Sequence, residues 1–181
     1  MKILTMKFGG TSVGDVDRIK TVRDIISDEV KNGWNVIAVV SAMSNETNKL
    51  INLAKQVGVE SLVDPEYDSL ISTGEDISSS LLSIALNSIG ISSRSWRGWQ
   101  LPVRTDSFHS NAKIEEIKTE KLLETFKGGT KVAVVSGFQG IEKSGRITTL
   151  GRGGSDTSAV AIAAAIDAKR CDIYTDVSGI F

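Results

Sequence analysis

Apolar positions along this chain follow two rhythms. ILTMKF (3–8) is a short strand-like run closed by Gly9 and Gly10. NVIAVVS (35–41) and KVAVVSGF (131–138) are continuous apolar runs, as expected of parallel strands covered on both faces. Between them the period changes. Val16, Ile19, Val22, Ile25, Ile26 and Val30 recur at helical spacing, with Asp15 placed to cap the helix and Asn32-Gly33 to end it. A second helix is expected to carry Leu50, Leu53, Ala54 and Val57. A third helical stretch covers 66–89 and is interrupted near Ser72-Thr73-Gly74. Short strand-like pieces follow at 91–96, 103–105 and 112–117. TEKLLETFKGG then predicts a short helix with a glycine stop, and GIEKSGRITTL a hairpin turning at 143–145. LGRGGSDTSAVAIAAAI (150–166) predicts a loop running into a buried helix, and CDIYTDV (171–177) a last strand. Strands and helices alternate and the central strands are rich in valine. The expected fold class is α/β, a three-layer αβα sandwich around a mostly parallel sheet. IYTD ends only five residues before Phe181. An α/β domain packs a further element there, so 1–181 is expected to be the N-terminal portion of a longer domain.

Composition narrows the function classes. Of 181 residues, 40% are hydrophobic and 24% charged, which is enough to bury a core. The net charge of −1 gives no general attraction to nucleic acid or to an anionic membrane. No apolar run approaches the ~20 residues of a membrane span, and the residues from Met1 read straight into a strand, so no secretory h-region with a cleavage site is expected among them. One cysteine, Cys171, cannot form an internal disulfide and fits a reducing cytoplasm. His109 is the single histidine; no Ser-His-Asp set is evident and no Cys/His cluster has zinc spacing, and no metal ligands are assigned.

Candidate chemistry lies in the loops that leave strand ends, where open α/β sheets bind ligands. In KFGGTSVG (7–14), Gly9 and Gly10 let backbone N–H groups approach a phosphate, and Lys7 offers a point charge. The order is neither Walker A nor GxGxxG, and a glycine pair at a strand end is also an ordinary turn. LGRGGSD (150–156) carries a stronger signal. Its glycines free the backbone, Ser155 or Asp156 can cap the helix, and Arg152 presents a fork suited to carboxylate or phosphate at a helix N-terminus. A plain cap and turn explains the same residues. Asp156 repels a bare anion but can hold a neighbouring lysine or a metal-bound water. STGED (72–76) places Glu75 beside a helical break, either solvated in a first turn or facing an amine. SAMSNET, SGFQG and TDVSG complete the set of strand-end loops.

Taken in order, six segments resemble the amino acid kinase superfamily, and within it the aspartate kinase family: KFGGTSV, VVSAMSNETNKLINLA, LISTGEDISSSLLSIAL, RGWQ with TDSFHSNAKI, GFQGIEKSGRITTLGRGGSDTSAVAIAAAIDA, and CDIYTDVSGIF. The resemblance covers essentially the whole chain. It implies an amino acid kinase-like fold and Mg-ATP-dependent phosphorylation of the side-chain carboxylate of L-aspartate to 4-phospho-L-aspartate, at the head of lysine, threonine, methionine and diaminopimelate biosynthesis. It also implies ATP and Mg2+ as cofactors, L-aspartate as substrate, a cytoplasmic location and a homo-oligomer. The rest of the kinase domain and the regulatory ACT domains would lie outside these residues.

Carried over residue by residue, Lys7, Phe8, Gly9 and Gly10 would hold the ATP phosphates, with Lys7 stabilising the transferred group and Asp156 orienting Lys7. Ser41 would lie at the phosphate–substrate junction, and Thr175 and Asp176 would begin the nucleotide site. Thr47 would touch the aspartate, Glu75 would bind its ammonium, and Arg152 would grip a carboxylate with Gly153, Gly154 and Ser155 alongside. Ser178 and Phe181 depart from the family's usual acidic residue and tyrosine. Two other readings remain: a sibling kinase acting on acetylglutamate, glutamate, carbamate or UMP, and a non-catalytic chain that only binds ligand or partner.

Overall fold

The structure is a computed structural model that describes residues 1–59, 61 and 63–175. The central sheet has five strands: β1 (Ile3–Phe8), β2 (Asn35–Val40), β3 (Ser93–Trp96), β6 (Val132–Ser136) and β9 (Arg170–Tyr174). Their order is β3-β6-β2-β1-β9, and every neighbouring pair is parallel. A second sheet, unlike the first, is mixed. It runs β5 (Ile114–Ile117), β4 (Val103–Thr105), β7 (Gln139–Ile141), β8 (Ile147–Thr149), with β7 and β8 forming the hairpin expected around 143–145.

The period-2 geometry of a strand divides the valine-rich runs between two cores. Val36, Ala38, Val40, Val132 and Val134 face α1 (Val16–Lys31) and α4 (Thr73–Asn87), where they meet Ile19, Val22, Ile26, Leu82 and Leu86. Ile37, Val39, Ala133 and Val135 face α5 (Glu120–Lys127) and α6 (Gly154–Ala165), where they meet Leu122, Phe126, Ala159 and Ile162. The result is the three-layer sandwich expected from the pattern. A smaller cluster joins α2 (Glu46–Val57) to α3 (Pro65–Ile71) through Ala54, Tyr67 and Ile71.

Local signals account for most element ends. Asp15 caps α1 by accepting the Arg18 N–H at 2.8 Å, and Asn32 ends it. Two expectations need correction and two are sharpened. Ser155 and Asp156 do not cap α6. Gly153 does, in a left-handed conformation (φ +77°), and places both residues inside the first turn. The interruption expected near Ser72-Thr73-Gly74 falls at Ser72; Gly74 lies inside α4, where an added Cβ would stand 2.8 Å from the Ala42 Cβ. The expected second helix forms as α2, but of the four apolar residues expected on it only Ala54 is buried, with Leu53 53% and Val57 90% exposed. Helix α2 packs on short α3 rather than on the sheet. Finally, α6 buries only one side. Val160 is exposed, while Ala159 and Ile162 meet the sheet.

Candidate functional site

Parallel strands deliver their C-terminal loops to one end of the sheet. There, the loops after β1 and β2 lock together. The Ser44 hydroxyl donates to the Gly10 carbonyl at 3.2 Å, and a Cβ on Gly10 would stand 3.0 Å from the Ala42 carbonyl oxygen. Glycine is required here by close approach rather than by φ. A cleft of about 580 Å³ opens over these loops, lined by Lys7, Gly9, Gly10, Ser41, Glu75 and Thr175 among others. A second, of about 210 Å³, adjoins it and is lined by Gly151, Arg152, Gly153, Gly154, Ser155 and Asp156. Lys7, Ser41, Thr47 and Glu75 border both.

The charges are arranged with opposite preferences. Lys7 Nζ lies 2.7 Å from Asp156 Oδ1, and its side chain is only 12% exposed, so the ammonium is held at the junction of the two clefts. Arg152 is exposed, with no acidic partner among the described residues. It stands free to receive an anion beside the N-terminal turn of α6. Glu75 is buried rather than solvated, at 4% exposure, because the tight fit of Gly74 against Ala42 draws the start of α4 under the β2 loop. Its Oε1 accepts the Ala42 N–H at 3.1 Å, and its Oε2 has no hydrogen-bond partner. Burial, with a smaller push from Asp76, raises the Glu75 carboxyl to about 8. A buried carboxyl with one unsatisfied oxygen favours a cationic ligand.

Most of the expected site residues therefore converge. Phe8 differs, since its side chain is fully buried and stacks on Tyr174 with ring centroids 4.7 Å apart. Only its carbonyl reaches the loops, accepting the Ser41 N–H at 3.1 Å. Asp176 lies outside the described residues.

The model of the amino acid kinase family matches residues 2–181. The chain belongs to the amino acid kinase family. Among curated relatives, the aspartokinase of Bacillus sp. (strain MGA3) is 50% identical over 181 residues, covering 100% of this chain and 44% of that protein. The aspartokinase of Rickettsia felis is also 50% identical, over 183 residues, covering 100% and 45% respectively. This amino acid kinase chain thus spans less than half the length of those relatives. Among solved structures, aspartate kinase from Synechocystis has a TM-score of 0.81 at 44% identity, covering 98% of this chain and 29% of that one. E. coli aspartokinase III, crystallised with aspartate and ADP, has a TM-score of 0.85 at 27% identity, covering 99% and 50%.

Three residues in or around this amino acid kinase site carry little sequence signal. Phe138 lines the smaller cleft with φ +68°, a costly conformation for a bulky residue. It sits in the strand-end loop SGFQG, and that position is the only hint of it. Asp76 supports the cleft from behind, accepting the Ser136 hydroxyl at 2.9 Å and Gln139 Nε2 at 3.2 Å and pairing with Arg97 Nε at 3.0 Å. Its place beside Glu75 in STGED was visible, its partners were not. Asp68 is wholly buried in α3, on a helical stretch that gives no sign of its partners.

Proposed function

We propose that this chain forms the N-terminal portion of an aspartate kinase catalytic domain, which phosphorylates the side-chain carboxylate of L-aspartate with Mg-ATP to give 4-phospho-L-aspartate. The observation that carries the reading is the meeting of Lys7, Glu75 and Arg152 around adjoining clefts. One cation serves the phosphates, one buried carboxyl an ammonium, and one guanidinium a carboxylate. The roughly half-identical aspartokinases, and the E. coli relative crystallised with aspartate and ADP, support the same choice over acetylglutamate, glutamate, carbamate or UMP as acceptor.

A carboxylate is already a nucleophile at neutral pH, so the step needs no general base. One carboxylate oxygen bonds to the γ-phosphorus as the bond to the β–γ bridging oxygen breaks, and ADP leaves. The barrier is repulsion between anions, which positioning and fixed positive charge relieve. In this reading Lys7, oriented by Asp156, neutralises charge on the transferred group. Backbone groups of Gly9 and Gly10 hold phosphates, with Phe8 fixing the Ser41 N–H through its carbonyl, and Ser41 lies at the junction. Thr47 contacts the amino acid, Glu75 takes its ammonium, and Arg152 takes a carboxylate with Gly153, Gly154 and Ser155. Thr175 and Asp176 begin the nucleotide pocket. The described residues contain no cluster of three acidic, histidine or cysteine side chains for a metal. Mg2+ would arrive on the phosphates of ATP and offset part of their negative charge.

The reading extends to a role at the start of lysine, threonine, methionine and diaminopimelate biosynthesis. It includes a cytoplasmic setting, with which the free, exposed Cys171 agrees. No helix of the structure is long and apolar enough to cross a membrane. Self-association is also proposed, since β3 and β9 end the central sheet among the described residues.

The test measures ADP release from Mg-ATP with L-aspartate and with each rival acceptor, alongside calorimetric titration of aspartate and N-acetylaspartate. Aspartate-dependent ADP release, and binding abolished by acetylation of the amine, are expected. Release with another acceptor alone overturns the reading. Binding without turnover favours the ligand-binding alternative for these residues.

A further inference from the structure

Asp68 lines neither cleft, yet no other Asp or Glu among the described residues is as enclosed, at 0% exposure. Both its oxygens are filled with donors. The Ser110 N–H reaches Oδ1 at 3.1 Å and Oδ2 at 2.9 Å, and the Ser110 hydroxyl reaches Oδ1 at 3.2 Å. The Thr149 N–H donates to Oδ2 at 2.9 Å and its hydroxyl to Oδ1 at 2.7 Å. His109 Nδ1 lies 3.0 Å from Oδ2. One carboxylate thus joins three segments far apart in sequence: α3, the 106–112 loop and the end of β8. Hydrogen bonds to a charged acceptor in a dry interior are strong, and leaving such donors unpaired is costly.

The consequence reaches the smaller cleft from two sides. Beyond Thr149, Gly151 turns with φ +74°, and a Cβ there would stand 2.9 Å from Asn111 Oδ1 and 3.3 Å from the Ser110 carbonyl oxygen. The Ala112 N–H closes the same patch by donating to the Thr149 carbonyl at 2.9 Å. Arg152 is the next residue, so its backbone rests on segments that Asp68 holds. On the other side, the Ser72 N–H donates to the Asp68 carbonyl at 3.1 Å, and α4 with Glu75 begins one residue later. The one residue therefore ties the carrier of the anion-seeking arginine to the carrier of the cation-seeking carboxyl.

We propose that Asp68 is a positioning residue that holds Arg152 in register with Glu75 and Lys7, so that the cleft accepts an acidic amino acid of one side-chain length. The proposal rests on the aspartate reading above. With ammonium and carboxylate anchored at fixed points, a side chain one methylene longer carries its terminal carboxylate past Lys7. A loop free to shift accommodates both lengths.

Asp68→Asn keeps the shape but turns an amide NH2 toward the Ser110 or Thr149 donors, where an acceptor is needed. Thr149→Val removes one donor, and Thr149→Ser keeps it. Amide hydrogen exchange on the ligand-free protein is the first measurement. Asp68→Asn is expected to speed exchange in 106–112 and 150–154 by about tenfold or more, with β1 and β2 unchanged. Calorimetric affinities for L-aspartate and L-glutamate are the second. The wild type should prefer aspartate by about tenfold or more. The ratio should fall toward one in Asp68→Asn and Thr149→Val and be kept in Thr149→Ser. A purely structural Asp68 would weaken both ligands equally with the ratio intact, and that result overturns the proposal, as does unchanged exchange in the two segments. If the wild type binds neither amino acid, the aspartate reading fails and the length-selection proposal falls with it, while the exchange data still decide whether Asp68 holds the loops. If Asp68→Asn does not fold, the Thr149 pair decides.

Discussion

Replacing Glu75 by glutamine should change how stability responds to pH. In the folded chain the Glu75 carboxyl is raised from 4.5 to about 8, mainly by burial. Between those values the unfolded chain has lost the proton and the folded chain keeps it. The folded state therefore binds more protons, and stability falls as pH rises through the window. Each pH unit removes about 1.4 kcal/mol, so the whole window amounts to about 5 kcal/mol. This contribution is fully present below 4.5 and lost on passing about 8. Glutamine retains an oxygen for the Ala42 N–H and stays neutral throughout. Urea unfolding of both proteins from pH 5 to pH 8 is the assay. The two should agree within about 1 kcal/mol at pH 5, with Glu75→Gln the more stable by about 4 kcal/mol at pH 8. Parallel stability curves would refute the burial argument. A bound ammonium would favour the ionised carboxylate, so aspartate binding near pH 7 should release close to one proton in the wild type and none in Glu75→Gln. Calorimetry in buffers of different ionisation enthalpy reads that number, and zero release from the wild type removes Glu75 from the ammonium site.

Three substitutions probe the rest of the cleft. Gly74→Ala puts a Cβ 2.8 Å from that of Ala42, and the overpacking should cost about 1–3 kcal/mol despite alanine's better helix propensity. A more stable protein in thermal unfolding would show that the approach is not tight. Arg152→Ala should weaken aspartate about 10- to 100-fold while sparing ATP, because a charged hydrogen-bonding pair is lost. Equal losses for both ligands would argue against its role. Lys7→Ala should lower the rate of phosphoryl transfer at least about a hundredfold with little change in aspartate affinity. An unaltered turnover number would take Lys7 out of the mechanism.

Much of this arrangement was legible in local residue order. The apolar runs of β2 and β6, the helical period of α1 with its Asp15 cap, and the hairpin at 143–145 each depend on a few adjacent residues, and the structure forms them all. Lys7, Gly9, Gly10 and Arg152 were readable as candidates, because each glycine turn stands next to a cation, but an ordinary turn explains the same residues until the loops are seen to meet. Glu75 was readable as a candidate only. Whether its carboxyl is solvated or buried depends on Ala42, which lies 33 residues away in sequence and packs against Gly74. The strands of the second sheet were readable as short pieces and a hairpin, but not their pairing into a separate sheet, because strands of three or four residues carry no sign of which neighbour they join.

Residue order alone thus determined the strands, the helices and the cast of charged groups, since hydrophobic period, capping and backbone freedom act over one or two turns of chain. Tertiary structure alone decided that Asp68 joins His109, Ser110 and Thr149, that Asp76 meets Gln139 and Arg97, and that Glu75 holds a proton at neutral pH. Those outcomes arise from burial and from polar contacts between segments 21 to 81 residues apart, and no local pattern encodes them.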